Sequence, residues 1–120
     1  VTAWLAALPD ALLVGVGGSL GALARYGVDV ALDGGRSSTF AVNVVGSIAL
    51  GALVTSAAPE QILTVAGAGF CGAFTTFSSF AVNVSEAAAN GRYRLAAIDA
   101  AGTLVTALVG VGIGAGLAGL

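Results

Sequence analysis

Charge is the scarcest property of this sequence. Only 8% of its 120 residues are charged, four arginines and six carboxylates, whereas a soluble domain typically carries about 25%. Lysine and histidine are both missing, and the arginines are scattered, so there is no basic tract to hold nucleic acid. The single cysteine, Cys71, has no partner for an intramolecular disulfide and no companions for a metal site. It reads as a small, buried, apolar side chain. The net charge of −2 carries little information in a chain with so little aqueous surface.

What is plentiful is apolar surface. Hydrophobic residues make up 58% of the chain and the mean hydropathy is +1.02. A chain of this length makes one domain, and ten charges cannot clothe its surface, so that surface faces lipid. An ordinary soluble enzyme is excluded. No charge falls between Ser37 and Pro59, between Gln61 and Ser85, or from Ala100 to Leu120, and Ala11 to Ala24 is also free of charge. Since about 20 mostly apolar residues cross a bilayer, four spans are expected, at about 11–32, 38–57, 61–87 and 95–118, in a single transmembrane domain over 1–120. The first must tolerate Arg25 near one end. No basic segment precedes Ala11 and apolar segments continue to Leu120, which argues against a cleaved signal peptide. The alternation in Val109–Gly116 hints at a strand, but its neighbours lack the dyad repeat of a membrane barrel; the expected fold is all-α.

Connections follow from the breakers. Val1–Leu8, with Trp4, reads as an interfacial lead-in, and Asp10 after Pro9 as an N-cap. Residues 33–37, 58–60 and 90–94 form the three loops. Nineteen glycines are tolerable in lipid because they let helices approach closely. Gly17 with Gly21, Gly110 with Gly114 and Gly112 with Gly116 make small-residue ridges, and so many of them imply an oligomer.

Function is sought where polar groups sit at membrane depth, because they are costly there. Thr39, Asn43 and Ser47 fall at i, i+4 and i+8 on one face of the second helix. Thr103 and Thr106 share a face with Gly110 on the fourth. A lone hydroxyl is satisfied by its own helix, but the Asn43 amide is not and must meet a partner helix or water. Gly72–Phe80, with four hydroxyls among Thr75, Thr76, Ser78 and Ser79, predicts a helix broken at mid-membrane. Irregular backbone at that depth must be buried in protein or line a cavity, and its freed carbonyls are natural cation ligands. Phe77 and Phe80, at i and i+3, share a face; packing against lipid or another helix accounts for them.

Three segments carry a family resemblance: GGSLGALARY (17–26), TFAVNVVGS (39–47) and GFCGAFTTFSSF (69–80). They are similar to the GGxxGAxxRY, TxxxNxxGS/A and GFxGGxTTFSTF motifs of the Fluc/CrcB family of fluoride-selective channels, with Ala73 and Ser79 as minor departures. The fourth helix matches only through Thr106, four residues before Gly110. The resemblance implies an antiparallel dimer with two fluoride pores that export the ion passively from the cytoplasm. Phe77, Phe80, Asn43, Ser78, Thr106 and Thr39 are then expected along the path and Arg25 near its vestibule. The carbonyls of Gly72 and Thr75 would hold a structural, non-transported sodium ion, and the location would be a cell membrane, the inner membrane of a bacterium.

The chemistry suits that expectation. Fluoride is small and strongly hydrated, so a selective pore must replace its water with close donors, which Asn43 and the hydroxyls supply. Phenyl edges carry positive quadrupole density and meet an anion without trapping it, as conduction requires. Carbonyl oxygens suit a hard cation. The rivals are a four-helix drug/proton antiporter and a non-conducting assembly subunit. The first needs a carboxylate within the first span, where only Asp29 stands, near the loop end, paired with Arg25 or solvated. The second leaves Asn43 and the hydroxyl-rich break unexplained.

Basic residues near span ends remain cytoplasmic. Arg36, Arg92 and Arg94 lie in loops one and three and Arg25 on the same side, while the termini and loop two carry Asp10 and Glu60 and no basic residue. Both termini are therefore expected outside. The expected partner is a second copy of this chain or a related chain inserted the opposite way; a homodimer inserting both ways should show little such bias, which favours the related chain.

Overall fold

The computed structural model describes Ala3 and residues 7–120; Trp4 of the expected lead-in lies outside them. Among the described residues every regular element is helical. Helix α1 is Asp10–Ala31 and α2 is Gly35–Thr55. The third span begins as α3, residues 60–74, in three continuous pieces: Glu60–Ile62, a π-wound Leu63–Cys71, and Gly72–Phe74. It resumes as α4, Phe77–Ala89. Helix α5 is Tyr93–Ala118. Four stretches, with Glu60–Ala89 counted as one, are long and apolar enough to cross a membrane, and the chain is a multi-pass membrane protein. At 1.5 Å per residue the 22 residues of α1 span about 33 Å, which matches a hydrocarbon core of about 30 Å.

The ends differ from expectation in instructive ways. Pro9, in an extended conformation, is the N-cap of α1, and Asp10 is the first helical residue, making no cap hydrogen bond. Its carboxylate instead sits in the first turn, where it complements the helix dipole. Helix α2 starts at Gly35 rather than Ser38, because Asp33 and Gly34 (φ 57° and 64°) reverse the chain within a shorter loop. Pro59 likewise caps Glu60 from an extended conformation.

Glycine sets the helix pairs. A β-carbon at Gly17 would stand 1.9 Å from the Val65 carbonyl oxygen, and one at Gly21 would stand 2.2 Å from that of Phe70, so α1 lies directly on the π-wound part of α3. Gly114 does the same for α5 on α2, with 1.9 Å to the Ile48 oxygen. Gly112 and Gly116, expected to form a further ridge, meet nothing within 4 Å in the chain.

These pairings leave an asymmetry. Before its break the third span packs mainly on α1, and after it mainly on α5. The break therefore carries the chain from one side of the bundle to the other. Between the first half of the span and α5 a gap remains, and it holds the candidate site.

Candidate functional site

The site is built on the break. Thr75 (ψ 165°) and Thr76 (φ −150°, ψ 122°) are extended, between helical Phe74 and Phe77. Gly46 makes room for it: a β-carbon there would lie 2.3 Å from the Thr75 methyl. One turn earlier on the same face of α2 is Asn43. Its Oδ1 accepts from the Thr76 backbone N–H at 2.8 Å, and its Nδ2 donates to the Thr76 carbonyl at 3.0 Å. The side-chain amide thus pairs with the broken backbone as a neighbouring strand would. The orientation is fixed by chemistry, since a backbone N–H can only donate. The π-wound turns just before the break fit the same pattern, because such winding is concentrated at functional sites.

Two carbonyls lose their helical partners here. In an unbroken helix Thr76 N–H would bond to the Gly72 oxygen and Ser79 N–H to the Thr75 oxygen. Instead the first goes to Asn43, and the second goes at 3.1 Å to the Thr76 hydroxyl, which caps α4. Among the described residues neither carbonyl receives another hydrogen bond. The Gly72 and Thr75 oxygens are therefore free acceptors at mid-span.

The gap between α3 and α5 is an open groove of 650 Å³ whose walls include Asn43, Gly72, Thr75, Phe77, Phe80 and Thr103. Phe77, 76% exposed, stands with its ring centroid 5.8 Å from that of Phe80. Two smaller cavities lie toward loop one. One, of 380 Å³, includes Arg25, Thr39, Thr76, Ser78 and Ser79. The other, of 240 Å³, includes Arg36, Thr39, Phe80, Asn83, Asp99 and Thr103. Phe80 and Thr103 belong to both this cavity and the large groove, so the two adjoin there.

Which donors are free is decided by local bonds. Ser47 donates to the Asn43 carbonyl (2.6 Å), Thr75 to that of Cys71 (2.8 Å), and Thr106 to that of Gly102. Thr76 and Ser78 share one bond between their hydroxyls, 3.2 Å apart, which leaves one O–H of the two unspent. Asn43 keeps one N–H. Thr39, Thr103 and Asn83 make no side-chain hydrogen bond to the described residues.

The structure thus gathers Asn43, Phe77 and Phe80 with the Gly72 and Thr75 carbonyls around one groove, and puts Arg25, Ser78 and Thr39 beside it. Thr106 lines none of these three spaces. Arg25 donates to Ser79 at 3.0 Å rather than to Asp29, and Asp29 accepts from Ser38. The only ion pair among the described residues joins Arg36 to Asp99. Thr103, seven residues before Gly110, and Asn83, three after Phe80, were legible as members of these faces; the Arg36–Asp99 pair, 63 residues apart, had no signal in the sequence.

Comparison with known proteins follows the same lines. Residues 12–115 match the family model described as CrcB-like protein, Camphor Resistance (CrcB). The chain is 43% identical over 117 residues to the fluoride-specific ion channel FluC 2 of Haloarcula marismortui, covering 94% of this chain and 97% of that protein. It is 46% identical over 114 residues to FluC 2 of Natronomonas pharaonis, covering 92% and 96%. To FluC 1 of Symbiobacterium thermophilum it is 41% identical over 121 residues, covering 88% and 97%.

Proposed function

Because this chain belongs to the CrcB family, we propose that it is a passive, fluoride-selective channel of a prokaryotic cell membrane that lets the ion leave the cytoplasm. The observation that carries the reading is the groove at mid-span, whose polar wall is neutral: the spare Asn43 N–H, hydroxyls, and the rings of Phe77 and Phe80. Neutral donors and phenyl edges can replace part of the hydration of a small anion without holding it. A fixed cation in the groove would bind it too tightly for passage.

The groove is open to the outside of the single chain. In lipid its polar wall and the two free carbonyls would be costly, which supports a second chain covering it. An antiparallel pair would enclose a path on each side of the two-fold axis. The Gly72 and Thr75 carbonyls fit a hard monovalent cation, being neutral oxygen donors released from the helix. Two from each chain would complete a cage for one structural sodium ion, which would fasten the subunits. Arginine distribution supports a related chain of opposite orientation as the second subunit.

An antiporter would need a proton-exchanging carboxylate at mid-span. The six carboxylates, Asp10, Asp29, Asp33, Glu60, Glu86 and Asp99, all lie near helix ends or in loops. The deciding experiment is fluoride efflux from liposomes holding the purified protein, followed with a fluoride electrode. Rapid efflux that chloride cannot reproduce is expected. No efflux above that of empty liposomes would refute the channel.

A further inference from the structure

The 240 Å³ cavity toward loop one adjoins the mid-span groove at Phe80 and Thr103 and ends at the Arg36–Asp99 pair. We propose that this cavity is a second anion site, the mouth of the ion path on that face, and that Asp99 sets its occupancy by holding Arg36. The inference rests on the channel reading and adds to it a site and a charge that tunes it.

The geometry has three parts. Arg36 stands in the first turn of α2 and Asp99 in the second turn of α5. They meet in a two-pronged contact, with Nε donating to Oδ2 at 2.6 Å and Nη2 to Oδ1. A guanidinium has five N–H donors, so the contact leaves three unspent. The Arg36 side chain is 50% exposed while that of Asp99 is 16% exposed, so the cation reaches toward water and the anion lies behind it. Beneath them Asn83, Thr39 and Thr103 line the cavity with no side-chain bond to the described residues. The cavity thus offers a cation and neutral donors to an arriving anion, with one carboxylate opposing it.

That carboxylate has a purpose in a conductor. An unopposed arginine would concentrate anions, speeding entry while fluoride is scarce but slowing exit once the site fills, whereas conduction across a range of concentrations needs a site that is left as readily as it is entered. With Asp99 in place the pair is nearly neutral at a distance, and an ion at the mouth draws on the spare N–H groups only at short range. The pair lies at the face where the three loop-side arginines Arg36, Arg92 and Arg94 gather, the side expected to be cytoplasmic and therefore the entrance for outward flow.

The test is initial fluoride efflux at low ionic strength and low fluoride, per unit of folded protein, for wild type, Asp99→Asn, Arg36→Gln and the double variant. Asp99→Asn unmasks Arg36 and should raise the rate about threefold to tenfold, within the range by which charged clefts raise local ion concentration. Arg36→Gln leaves a carboxylate at the mouth and should lower it by a similar factor, while the double variant should lie near wild type. Raising the salt to about 1 M, where the screening length is about 3 Å, should shrink both differences. Opposite signs cannot come from loss of a structural contact. If both single variants merely lower the unfolding temperature and leave the rate per folded protein unchanged, or shift it in the same direction, the mouth is overturned. Wild-type protein that carries no fluoride would overturn the channel itself, a distinct result.

Discussion

At the residue scale Asn43 does two jobs with one amide. It satisfies both backbone polar groups of Thr76, and it retains one N–H toward the groove. Asn43→Ala orphans a donor and an acceptor in a buried residue, each costing about 1–3 kcal/mol. The variant should therefore lose flux and also unfold at lower temperature. Asn43→Asp keeps the acceptor for Thr76 N–H but sets a carboxylate against the Thr76 carbonyl and the ion path, and flux should vanish. Wild-type flux in either folded variant would remove Asn43 from the path. The phenylalanines separate packing from function differently. Phe77 is largely exposed in the single chain, so Phe77→Ile should change its stability little. Both Phe77→Ile and Phe80→Ile remove the quadrupole while keeping bulk, and efflux should fall at least tenfold, about 1.4 kcal/mol in barrier. Unchanged efflux in both would leave them as packing residues.

At the scale of elements the break was legible and its consequence was not. Four hydroxyls among Thr75–Ser79 at the centre of an apolar span announce irregular backbone. They do not reveal that the third span changes partner there, from α1 to α5, because that depends on which helix offers glycine. Gly17 and Gly21 bring α1 onto the first half, and Gly46 brings α2 onto the break. The ridge formed by Gly114 gives a direct test. Gly114→Ala places a β-carbon against the Ile48 carbonyl oxygen, forcing α5 off α2 at a cost of about 1–3 kcal/mol. Gly27→Ala, which meets nothing within 4 Å, should be neutral or stabilise slightly through helix propensity. Unfolding of the purified variants in detergent checks the contrast; equal stability of the two would show that α2 and α5 are not held by close approach.

At the scale of the whole molecule, charge placement makes a prediction about orientation. With Arg25, Arg36, Arg92 and Arg94 all toward one face, that face should stay cytoplasmic. A cysteine placed at Asn90 should be shielded from an impermeant reagent in intact cells, and one at Leu120 should be labelled. Native Cys71, 6% exposed, gives little background. Equal labelling of the two positions would mean insertion in both directions and would end the case for an oppositely oriented partner chain.

The membrane location, the four spans and the place of the break were determined by the sequence alone. Lipid forces each span to satisfy its own backbone, so length, hydropathy and misplaced polar residues along the chain already state the solution. The tertiary structure decided which polar groups remain available. Thr106 and Ser47 spend their hydroxyls on their own helices while Thr39 and Thr103 face open space. Arg25 serves Ser79, and Arg36 finds Asp99 across 63 residues. Such partners depend on how helices cross, and a crossing set by a few glycines leaves no periodic trace of which distant side chain it brings near.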